Sequence, residues 1–167
     1  MTKKELNAII KNELKIFGDF KVKFGNDFYY EYETDTVFYD TKPAMTDKLF
    51  SQFLLDRFDY VDKYPFIMSL LHEVGHAKNN DDVDGDVYAF CLGEKYKIQT
   101  AINKTDDTDD ARILNLYYRY FSLPDELMAT AWAVNYAKKN KKQIKEMNKK
   151  IIQAVDEYNK THKVVLA

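Results

Sequence analysis

The chain has 167 residues, 46% of them hydrophobic and 31% charged, with only 5 Gly and 3 Pro, a balance that excludes wholesale disorder and collagen-like or linker-dominated architecture. Its net charge of −2 is unevenly spread, because residues 135–167 carry nine Lys against Glu146, Asp156 and Glu157 and the remainder is acidic. A single cysteine, Cys91, excludes an internal disulfide and a cysteine zinc cluster, and it fits a reducing, cytoplasmic setting.

The length predicts one domain over residues 1–167. Lys4, Glu5, Lys11 and Glu13 interrupt the first segment before it resembles a signal peptide, and no apolar run approaches the ~20 residues of a membrane span. Leu6, Ile9, Ile10, Leu14 and Phe17 recur at spacings of three and four, which predicts a helix over residues 2–17 stopped at Gly18. The period then becomes two. Phe20, Val22 and Phe24 alternate with polar residues, Phe28–Tyr32 follows the Gly25-Asn26-Asp27 turn, and Thr36–Tyr39 follows Thr34-Asp35. This pattern predicts a three-stranded antiparallel meander ended by Pro43.

Helical spacing returns from Thr46, through Leu49, Phe50, Phe53, Leu54 and Phe58. Pro65 opens a further helix through Leu70, Leu71 and Val74 to Asn79. An acidic loop over 81–86, a helix over 87–98 and a solvated connector over 103–110 follow. Three more helices are expected, over 111–121, 124–138 and, Lys-rich, about 141–160. The order is helix, small sheet, helical block, an α+β arrangement. No aromatic or Arg residues interleave the C-terminal lysines, so they read as a solvated face and no direct nucleic-acid contact is expected.

His72-Glu73-Val74-Gly75-His76 is an HExxH sequence within a helix-period segment. One turn separates the imidazoles, so both project from one face and can share a metal ion, and Glu73 lies beside it as a proton acceptor outside the coordination sphere. His162, in a Lys-rich tail, reads as a bystander. A catalytic zinc needs a third protein ligand, and without another usable His it should be a carboxylate. Glu126 is the candidate, in the first turn of the helix that Ser122 and Pro124 announce, with small Ala129 one turn on to permit a close helix approach. From spacing alone, Asp125 and Glu126 equally suit the positive end of a helix dipole. Asn80-x-Asp82-x-Asp84-Gly85-Asp86 has the start of an EF-hand loop but places Cys91 where the closing Glu belongs, and it reads as a solvated loop.

HEVGH followed by Glu126-x-x-Ala129-x-x-Trp132-Ala133 resembles the ImmA/IrrE-type family of small gluzincin metallopeptidases, over about residues 20–140. Thr130 stands where the family commonly has Asn, Trp132 where it has Phe, and 49 residues between His76 and Glu126 point to an insertion. The resemblance implies a zincin-like minigluzincin fold, with a small antiparallel sheet packed on a helical block containing the HExxH helix. It implies Zn2+ held by His72, His76 and Glu126, with Glu73 as general base and acid. The function implied is a zinc endopeptidase acting on a protein or peptide substrate, with a helix-turn-helix repressor of a phage or mobile element as the suggested class. A zinc-bearing binding module that relieves a repressor by association is the alternative. Tyr117, Tyr118 and Tyr120 are candidate oxyanion donors, and the strand Thr36–Tyr39 is a candidate edge for pairing with substrate.

Overall fold

The computed structural model describes residues 1–42 and 45–162, so Pro43, the expected end of the sheet, lies outside the described residues. Among these residues are seven helices and one three-stranded sheet, an α+β arrangement. Helix α1 (Lys3–Leu14) starts in a capping box: Glu5 N–H donates to Thr2 Oγ1, and Thr2 N–H donates to Glu5 Oε2. It buries Leu6, Ile10 and Leu14, the stripe expected from their spacing.

The strands are β1 (Lys21–Phe24), β2 (Tyr29–Glu31) and β3 (Thr36–Tyr39). They do not form the expected meander. The order is β1-β3-β2, with β1 parallel to β3 and β2 antiparallel to it, so the sheet is mixed. Residues 25–28 step across the end of β3 instead of folding β2 back on β1, and Gly25 N–H donates to Tyr39 O across that end. Only β2 and β3 form a hairpin, through a turn closed by Asp35 at φ 49°, a left-handed conformation that Asp tolerates better than most residues. Thr36, Val37 and Tyr39 are fully buried because β3 is the central strand, which also removes it as an edge for substrate.

Helix α2 (Met45–Phe58) leads to α3 (Pro65–Asn79), whose first helical residue is Pro65, where a missing N–H costs nothing. Ten consecutive residues of α3, Ile67–His76, are buried, so it is the central element of the core. It packs against β2 and β3 of the sheet and most extensively against α6 (Pro124–Lys139). Ala129, Ala133 and Ala137 make a small-residue stripe on α6, all essentially buried, and small side chains there let the two helix axes approach.

The 49 residues between the second histidine and Glu126 contain α4 (Gly85–Asn103) and α5 (Asp110–Phe121), which pack on each other over Cys91, Ile98, Leu116 and Leu123. Helix α4 extends five residues beyond the expected end. The chain closes with α7 (Lys141–Thr161), whose buried Ile144, Met147, Ile151 and Val155 lie against α1, α3 and α6. Among the described residues, no helix is long and apolar enough to cross a membrane.

Candidate metal centre

The HExxH residues occupy the buried middle of α3, with His72, Glu73 and His76 each 6–7% exposed. Their i and i+4 placement stacks the imidazoles on one face, ring centroids 4.8 Å apart and Nε2 atoms 3.2 Å apart. Glu126, in the first turn of α6, meets them: Oε2 lies 2.8 Å from His72 Nε2 and Oε1 3.4 Å from His76 Nε2. Among the described residues, His72, His76 and Glu126 are the one group of three or more His, Cys, Asp or Glu side chains close enough to share a cation.

This donor set fits a metal ion. A tetrahedral cation with bonds of about 2.0–2.1 Å holds its ligand atoms roughly 3.3 Å apart, and the separations here bracket that value. The far nitrogens are fixed as well, with His72 Nδ1 3.0 Å from Thr130 Oγ1 and His76 Nδ1 3.1 Å from the Tyr32 hydroxyl. In the tautomer that frees Nε2 for a cation, each Nδ1–H donates to its hydroxyl oxygen, the outer hydrogen bond that orients metal-binding imidazoles. Thr130 lies one turn beyond Glu126, so α6 supplies a ligand to the group and a support for another. The buried group could therefore hold a metal ion, whose identity the geometry leaves open.

Gly75 makes the meeting possible. A Cβ at this position would lie 2.4 Å from Ala129 O and 2.8 Å from Ala129 Cα, which are backbone atoms that cannot swing aside. The motif's glycine and the alanine of α6 thus face each other where the helices are closest.

Burial would raise the Glu126 carboxyl, but the charge of His76 and hydrogen bonds from both imidazoles outweigh it, holding the group well below the ordinary carboxylate value. At Glu73 burial outweighs the opposing charges of His72 and Lys95 and, with the Glu126 charge adding, pushes the carboxyl up to about 7. A carboxyl poised near neutrality can both accept and return a proton.

Sequence reasoning missed Lys95 on α4. Its ammonium lies 2.5 Å from both Asp125 Oδ2 and Glu126 Oε1, and 5.6 Å from the centre of the Tyr120 ring. Burial opposes its charge, yet Glu126, Tyr120 and Asp125 hold the proton on more firmly than in a free lysine. Asp125, 2% exposed, is therefore part of a buried charge cluster.

A cleft of about 290 Å³ opens on the group, lined by Tyr32, Glu73, Lys95, Tyr117 and Tyr120 among others. Two of the three tyrosines singled out as donors reach it. Tyr118 does not line it, because its hydroxyl donates to Asp56 and its ring packs on Phe53. His162 stacks on Tyr158 at the end of α7, outside the histidine–carboxylate group. Compared with profiles of protein families, with curated proteins and with solved structures, the chain matches none.

Proposed function

We propose that the chain is a zinc-dependent endopeptidase of the ImmA/IrrE minigluzincin type, with His72, His76 and Glu126 as zinc ligands and Glu73 as general base. The observation that carries this reading is the convergence of two helix-borne Nε2 atoms and one carboxylate at cation-sharing distances. Glu73 lines the same cleft and has its carboxyl raised toward neutrality. Bound Zn2+ would supply Lewis acidity toward a scissile carbonyl and make water a better nucleophile near neutral pH.

The chain's own groups do the rest. Thr130 and Tyr32 hold the imidazoles in register, and Glu73 takes the proton of the attacking water and returns it to the leaving amine. Tyr117 and Tyr120 line the cleft as hydroxyl donors for the developing oxyanion. Strand β2 is an edge of the sheet and lines the cleft through Tyr29 and Tyr30, so β2, rather than β3, is the strand to pair with an extended substrate. The substrate class remains the one the resemblance implies, a protein such as a helix-turn-helix repressor.

Elemental analysis of the purified protein, followed by hydrolysis of a fluorescent casein, tests the reading. About one zinc per chain is expected, lost in His72→Ala and Glu126→Ala, with hydrolysis abolished in a Glu73→Gln variant that keeps its metal. Failure to take up zinc would overturn the metal assignment. Zinc uptake without hydrolysis of casein, of a peptide library or of repressor proteins would leave a zinc-bearing binding module.

A further inference from the structure

Helix α4 is apolar on two opposite faces. Cys91 and Ile98 turn inward, while Phe90, Leu92 and Tyr96 on the outer side are 58%, 56% and 76% exposed and Val87, beside the inner face, is 38% exposed. These are four of the ten exposed large hydrophobic side chains among the described residues, gathered on one helix. Large apolar side chains exposed together on one helix mark a surface that another molecule can cover, and the outer face of α4 is such a surface.

Its relief suits a helix. At 100° per residue, Ala89 and Gly93 fall between Phe90 on one side and Leu92 and Tyr96 on the other, forming a small-residue floor with aromatic and aliphatic walls, and exposed Lys97, paired with Glu94, borders the floor beside Phe90. A side chain at Gly93 would meet nothing within 4 Å, so the floor is open. Leu92 and Tyr96 adjoin Lys95 and Gln99 around the helix, and the latter two line the metal-site cleft.

Charge identifies the occupant. Exposed Asp81, Asp82, Asp84 and Asp86 stand at one end of this face, and exposed Asp106, Asp107, Asp109 and Asp110 follow its other end. Asp84 and Asp109 cap helices, Asp106 closes a turn, and Asp86 and Asp110 suit the first turns of α4 and α5, which leaves Asp81, Asp82 and Asp107 without such a local role. A second copy pairing through α4 would bring acidic ends together whether the helices ran parallel or antiparallel. The Lys-rich face of α7 carries none of the exposed large hydrophobics that would cover Phe90 and Tyr96.

We propose that the outer face of α4 is a docking site for an amphipathic helix of a partner protein that is basic at both ends, seated beside the cleft. Docking itself requires neither metal nor hydrolysis; its use in presenting a substrate rests on the peptidase reading. Fluorescence anisotropy of a labelled Leu/Lys amphipathic peptide, with a Leu/Glu peptide as counterpart, tests it. The Leu/Lys peptide should bind, more weakly as salt rises, and the Leu/Glu peptide should bind at least about tenfold more weakly.

The double variant Phe90→Ser/Tyr96→Ser, its fold checked by circular dichroism, should lose about tenfold or more in affinity. Glu73→Gln and chelator-treated protein should bind as the parent does, which separates this proposal from the reading of the metal site. Equal binding by the double variant, or equal binding of the two peptides, overturns the proposal. So does a sedimentation result in which the parent is a dimer and the double variant a monomer, since the occupant would then be a second copy.

Discussion

Gly75 and Ala129 are in contact with no room for a methyl group between them, and the grouping of His72, His76 and Glu126 depends on that contact. It brings the α3 imidazoles within reach of the short Glu126 carboxylate on α6. Gly75→Ala must push the helices apart, because its Cβ would meet backbone atoms. The expected cost is roughly 3 kcal/mol, at the upper end for overpacking, which for a chain of this size lowers Tm by about 6–12 °C. Zinc affinity should fall with it. Calorimetry beside zinc titration checks this, and an unchanged Tm would mean that the helices separate freely.

Thr130 tests the support of the imidazoles. Thr130→Val keeps the shape and removes the oxygen 3.0 Å from His72 Nδ1. Loss of such an outer partner typically costs about 10–100-fold in metal affinity. Thr130→Ser should restore most of it, and Tyr32→Phe should produce a similar loss through His76. Competition against a chromophoric chelator reads all three. Wild-type affinity in Thr130→Val would mean that the hydroxyl does not orient the ring.

What could be read beforehand follows from how local each signal is. Proline at the first helical position and apolar residues at helical spacing marked the bounds of α3 and the start of α6, and one turn of helix placed His72 beside His76. Strand order was beyond such signals, since alternation identifies a strand without naming its neighbour. The unbroken run Val37-Phe38-Tyr39 was the available clue that β3 is the central strand. Nothing near Lys95 in sequence marks it, because its burial depends on how α4 packs over α6. Thr130, one turn from Glu126, could have been found by asking what lies behind each imidazole.

Lys95 neutralises two carboxylates that are 2% and 3% exposed. Lys95→Met removes the ammonium they share, a change that costs about 3–5 kcal/mol in comparable buried clusters. Adding Asp125→Asn should recover part of that loss. A dication at Glu126 would replace some of the missing charge, so zinc should raise the Tm of Lys95→Met by more than it raises that of the parent. Equal zinc-induced shifts would show that Lys95 and the metal site are electrostatically independent.

Glu73 should make the metal-free protein less stable as pH rises. Its carboxyl is raised from 4.5 to about 7, chiefly by burial, so the folded chain binds this proton more tightly than the unfolded chain. The stability contributed by this group is fully present below about pH 4.5 and is lost as pH climbs through about 7. Above that range the buried charge is a burden, on the order of 3 kcal/mol. Glu73→Gln keeps the shape and cannot ionise. Chelator-treated Glu73→Gln should therefore match the parent at about pH 5 and melt several degrees higher at about pH 8. Zinc should shrink that gap, because a nearby dication favours the ionised carboxylate. A Tm difference independent of pH would show that Glu73 titrates normally, and the group would then lack the poise that a proton-shuttling base requires. The expected pattern is that of a residue kept at a cost to the fold for what it does in the cleft.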